Sequence, residues 1–150
     1  MKSYKIYSKT TLIGIIVISI LISIIATIYP IKMAFDKDIL NKYIKGNIDK
    51  VKITRMTNYM SQTINNKDDI AKIIQDLSKI KMTKYKKNMP TNIKHTYDIA
   101  IYVEGNLSIG MSIYDSDYIR LFIDLGNYSK QGTYKILKNS FSIKFIESLF

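Results

Sequence analysis

The stretch YDIAIYVEGNLSIGMSIYDSDYIRLFI, residues 97–123, decides the fold. Side chains alternate across a strand with a period of two. In this stretch Tyr97, Ile99, Ile101 and Val103 fall on one face, followed by Leu107, Ile109, Met111 and Ile113. Ile119, Leu121, Ile123 and Leu125 continue the pattern. The breaks are EGN, DSD and GN, each too short for a crossover connection, so consecutive strands must be antiparallel hairpins and the centre of the chain a meander. The opposite face carries Tyr102, Tyr118, Arg120 and Phe122, which makes it only partly wet.

Working outward, GTYKIL (residues 132–137) reads as an added edge strand, and NIDKVKITRM (residues 47–56) as a first strand. In the latter Val51, Ile53 and Arg55 lie on one side and Lys50, Lys52 and Thr54 on the other. NYMSQTINNKDD breaks the pattern with polar residues before a helix from Asp68 to about Lys79. Ile70, Ile73, Ile74, Leu77 and Ile80 form its apolar stripe, Asn66 its cap, and Asp68 and Asp69 the acidic first turn. KMTKYKKNMPTNIKH, interrupted by Pro90, reads as a long exposed connection with strand character near residues 82–85. A terminal helix capped by Asn139 or Ser140 presents Phe141, Phe145, Ile146, Leu149 and Phe150. The expectation is an α+β, two-layer domain: an antiparallel sheet of four to five strands covered by two amphipathic helices.

Upstream, TLIGIIVISILISIIATIYP (residues 11–30) is apolar on every side, with Ser19, Ser23 and Thr27 able to bond back to the preceding turn. Its length is near the roughly 20 residues that cross a bilayer core. The small-x-small exit of a cleaved signal is poor around Ala26, so a retained signal-anchor is the leading expectation and a cleaved, secreted form the alternative. The expected organisation is a cytoplasmic tail over 1–10, a transmembrane helix over 11–29, a juxtamembrane stalk over 30–47, helical from Ala34 to Ile44, and an extracytoplasmic domain over 48–150. Lys2, Lys5 and Lys9 nearly balance Lys32, Lys37, Lys42 and Lys45 across the segment. The short N-terminal tail tips the orientation toward a single-pass cell-membrane protein with its C-terminus outside.

The formal net charge is +11, nearly all of it lysine, since Arg55 and Arg120 are the only arginines. Heavy use of Ile, Lys, Asn and Tyr also follows from AT-rich coding, which weakens basicity as a pointer to a partner. With no cysteine, there is neither a disulfide framework nor a thiolate metal site. His95 is the single histidine, set between Lys94 and Thr96 without an adjacent carboxylate, and reads as an ordinary exposed side chain. Asp115 and Asp117 suit a hairpin turn better than a calcium loop, whose further ligands do not follow. Acid-base work would require Glu104, Asp115, Asp117 or Asp124 to converge. No catalytic, cofactor or metal residue is therefore assigned. The feature with a binding character is the basic run Lys79, Lys81, Lys84, Lys86, Lys87 and Lys94, a candidate contact for an anionic surface.

The succession NNKDDIAKIIQDLSKI (65–80), the meander above, GTYKIL and the closing FIESLF (145–150) resembles small extracytoplasmic domains of unknown function, carried behind anchors or lipoprotein signals in low-GC Gram-positive bacteria. The resemblance implies a surface-facing domain without an established activity, and carries over no functional residue. The functional expectation is a non-catalytic membrane protein whose outer domain binds an anionic cell-wall polymer or another envelope protein, with nucleic acid disfavoured and a small-molecule substrate unknown. The alternative is a regulatory or immunity-type protein whose membrane helix acts on a transporter, sensor or toxin.

Overall fold

A computed structural model of the chain describes residues 9–28, 31–126 and 128–150. Helix α1 (Lys9–Ile28) forms one unit and residues 32–150 form another. Among the described residues no helix is long and apolar enough to cross a membrane. The expected transmembrane signal-anchor, and with it the single-pass, C-terminus-outside placement, is corrected accordingly. Tyr29, Pro30 and residues 1–8, including Lys2 and Lys5 of the orientation argument, lie outside the described residues, as does Asn127 of the expected GN turn.

The second unit is a single eight-stranded antiparallel sheet, which corrects the expected sheet of four to five strands. Its strands are β1 (Lys32–Ala34), β2 (Ile48–Arg55), β3 (Met60–Ile64), β4 (Lys81–Lys84), β5 (Thr96–Val103), β6 (Asn106–Tyr114), β7 (Tyr118–Asp124) and β8 (Ser129–Ile136). Their spatial order is β1-β4-β8-β7-β6-β5-β2-β3. The strands that sequence reading missed are the edges. β3 is almost wholly exposed, so neither of its faces is forced to be apolar and no alternation marks it.

The segment expected as a stalk is helical within the span Ala34 to Ile44, as expected, but it is part of the folded core. A π-helical turn (Asp36–Leu40) runs into α2 (Asn41–Tyr43), and together with Phe35 it buries Ile39, Leu40 and Tyr43 in the core. The Phe35 amide donates to the Ile80 carbonyl at 2.9 Å, and the Ala34 amide to the Asp38 carboxylate at 2.7 Å, which ties this segment to the sheet. Tyr43 stacks on Tyr128 with centroids 6.2 Å apart.

Helix α3 (Lys67–Ser78) forms as its sequence dictates: the Asn66 side chain accepts from the amides of Asp68 and Asp69, and Ile70, Ile73 and Leu77 are buried. It carries the chain from β3 at one edge to β4 near the other and packs on β2 as it crosses. The terminal helix is only α4 (Ile143–Glu147), which buries Ile146. Neither expected cap serves it. Asn139 takes a left-handed conformation, and the Ser140 hydroxyl donates to the Lys81 and Leu137 carbonyls, pinning the link after β8 to β4.

Within this unit α2, α3, α4 and the core thus occupy one face of the sheet. The meander buries Tyr97, Ile99 and Ile101, then Ile109, Met111 and Ile113, then Ile119, Leu121 and Ile123. Leu107 departs from the pattern. A register shift at Ile101/Tyr102 pairs it with Tyr102, and it stays 39% exposed. The other face of the sheet has no helix on it from these elements, and there the functional question lies.

Candidate functional site

The residues opposite the core side chains define the open face. Register places Lys52 beside Ala100, Ala100 beside Gly110 and Gly110 beside Phe122, one row across β2, β5, β6 and β7. The next row is Thr54, Asp98, Ser112 and Arg120. Where large side chains would stand at the centre of the first row, Ala100 and Gly110 leave a depression of about 380 Å³, walled by Lys52, Tyr102, Arg120 and Phe122. A side chain at Gly110 would be in ordinary contact with Phe122, 3.9 Å away, so the backbone does not demand glycine here. The missing side chain shapes the surface.

Charge on this face is unbalanced. Lys50 and Lys52 project from β2, Arg120 from β7, Lys135 from β8 and Lys32 from β1, against Asp98 and Asp124. Asp98 accepts a 2.6 Å hydrogen bond from the Ser112 hydroxyl, and Asp124 accepts from the Gly126 amide at 2.9 Å. The ion pairs among the described residues, Lys72 with Asp69 and Lys79 with Asp76, both lie on α3 or at its end, so neither involves Lys52 or Arg120. The Lys50 ammonium sits 3.9 Å from the Tyr102 ring centroid, which holds that ring in place. At the β7–β8 side Tyr118 meets Tyr85 edge-on at 4.9 Å, and hydrogen bonding with Tyr85, then burial and Asp117, push the Tyr118 phenol above its ordinary range. It stays protonated at neutral pH.

The groove's Ser112 hydroxyl donates to the Asp98 carboxylate, and its Thr54 hydroxyl pairs with the Ser61 hydroxyl at 2.9 Å. Among the described residues no three His, Cys, Asp or Glu side chains come together as metal ligands. Glu104 and Asp115 stand at opposite ends of β6, a nine-residue strand, so about 30 Å separates them. Glu104 forms the β5–β6 turn with Gly105, both at positive φ, while the Asp115 carboxylate accepts from the Lys94 and His95 amides. His95 is exposed, at the rim of a separate 300 Å³ cleft with Arg55 and Glu147. Arg55 lies on the helix-covered side, its guanidinium 4.6 Å from the Phe150 ring centroid.

The six lysines of the basic run are not brought to one place. Lys79 closes α3 against Asp76, and Lys79 and Lys81 meet Lys138 around a 520 Å³ cavity beside Ser140. Lys84 ends β4, Lys86 and Lys87 lie on the exposed connection after it, and Lys94 lies where that connection reaches Asp115. The groove residues Lys52, Tyr102, Arg120 and Phe122 come from strands far apart in the chain. Their outward phase is readable from the alternation; the pairing of β2 with β5 that joins them is not.

Residues 37–135 match the family model DUF5301, described as a domain of unknown function (DUF5300), a span running from the π-helical turn into β8. No curated protein and no solved structure matches the chain.

Proposed function

We propose that this chain, which belongs to the DUF5301 family, acts as a non-catalytic binding domain whose open sheet face holds an anionic polymer. The observation that carries the reading is the depression over Ala100 and Gly110 with Lys52 on one side and Arg120 on the other. Strands in a sheet are about 4.8 Å apart. Lys32, Lys135, Arg120 and Lys52 therefore spread over about 30 Å of the face, six strand spacings. A small anion would use one of these charges; an extended chain of anions uses them in series. Phe122, 40% exposed, and Leu107 supply apolar contact for the polymer backbone.

Nucleic acid fits this face less well. Single-strand binders stack successive bases on open rings, and here the Tyr102 ring already carries the Lys50 ammonium, leaving Phe122 as the free ring beside the groove.

Inorganic polyphosphate is a suitable probe. In Gly110→Val the added side chain occupies the depression while its first carbon finds only ordinary contact, and a β-branched residue suits a strand interior. The full-length variant is expected to keep or slightly raise its melting temperature. Its affinity for polyphosphate by calorimetry is expected to fall about tenfold, roughly 1.4 kcal/mol. Unchanged affinity in a folded Gly110→Val protein would remove the groove from the binding surface.

A further inference from the structure

The two edges of the sheet are treated differently. β1 is three residues long, starts with Lys32, and has its Ala34 amide taken by the Asp38 carboxylate. These are devices that blunt an edge against pairing. β3, at the other edge, is guarded less: the Asn58 side chain accepts from the Met60 amide at 3.3 Å, but MSQTI carries no charge and no proline, and its first four residues are exposed. Tyr59, 76% exposed and at positive φ, belongs to the turn that leads into this edge.

We propose that the β3 edge pairs antiparallel with β3 of a second copy of the chain, about a two-fold axis through Gln62. The sequence of the strand selects this occupant, because it is complementary to itself in that register. Met60 faces Ile64, Ser61 faces Thr63, and Gln62 faces Gln62. Apolar residues thus meet on the core-facing side, where Met60 and Ile64 oppose Arg55 and Val51 of β2, and hydroxyls meet on the other. Within Met60–Ile64 this register opposes no like charges, despite a net charge of +11 on each copy. A two-fold axis of this kind is normal to the sheet, so both open faces look the same way and their basic rows join. Joined rows add avidity for one polymer molecule. A seam of five residues a side is small for an interface, which places the association in the weak, concentration-dependent class.

The absence of cysteine makes the register testable in the full chain. Facing positions in an antiparallel pair have Cβ atoms about 4.5–5.5 Å apart, diagonal ones about 7–8 Å. Gln62→Cys meets its own copy directly and is expected to form a disulfide-linked dimer under mild oxidation at least about tenfold faster than Ser61→Cys, which faces residue 63. A mixture of Ser61→Cys and Thr63→Cys is expected to cross-link as a heterodimer. Gln62→Lys, which opposes two ammonium groups at the axis, is expected to sediment as a monomer with an unchanged circular dichroism spectrum. Equal cross-linking of Gln62→Cys and Ser61→Cys, or a wild-type chain that sediments as a monomer throughout the micromolar range, would overturn the proposal.

Discussion

Phe35→Ala is expected to lower the unfolding free energy of the sheet domain by about 3–5 kcal/mol, the cost typical of emptying a fully buried aromatic site. Phe35 is 0% exposed, its amide is bonded to Ile80, and the turn that follows it inserts Ile39 and Leu40 into the same core. The surrounding sheet is fixed by its ladders and cannot close over the void, so the cavity persists. For a domain of this size the melting temperature, followed by circular dichroism, is expected to drop by roughly 10–20 °C. The sequence alone suggests the opposite, since a stalk residue could lose its ring at little cost. A loss below about 0.5 kcal/mol, the range of surface substitutions, would mean that residues 32–43 are not part of the folded unit.

The double reversal Lys52→Glu with Arg120→Glu is expected to weaken polyphosphate binding by roughly a hundred- to a thousandfold. Each basic group near an anionic surface contributes about 1 kcal/mol. Reversal removes that attraction and adds a comparable repulsion, so two reversals change the binding free energy by about 4 kcal/mol at low salt, where 1.4 kcal/mol is tenfold. Both residues are exposed and neither has an ion pair among the described residues, so the fold should not register the change. The loss should shrink as ionic strength rises, because the Debye length falls from about 30 Å at 0.01 M to about 8 Å at 0.15 M. A deficit independent of salt would point to a misfolded variant, which an unchanged melting curve excludes.

The parts of the fold legible in the sequence are those where burial on one side imposes a period. The meander is readable because Ile99, Met111 and Leu121 each sit between outward residues, and α3 because its cap, acidic turn and stripe agree. The segment around Phe35 is legible as a helix but not as part of the core: Phe35, Ile39, Leu40 and Tyr43 fall within one helical stripe, while Asp36, Lys37, Asp38 and Lys42 between them give it the composition of a solvated stalk. β3 escaped because an exposed edge leaves no period at all. For the groove, the alternation gives which way Lys52, Tyr102, Arg120 and Phe122 point. Their meeting depends on β2 pairing with β5 across more than forty residues of chain, and no local signal carries that. The lysines of residues 79–94 lie close together in sequence, but the structure spreads them over β4 and its flanking connections.

The most direct measurement is an amide NMR titration of the full chain with polyphosphate. Chemical-shift changes are expected to concentrate at residues 50–54, 98–102, 110–112 and 120–122, the four strands that build the depression, and in Gly110→Val to need about tenfold more polyphosphate to reach the same extent. Changes confined to residues 79–94, or to the helix-covered side at α3 and α4, would contradict an open-face binding site.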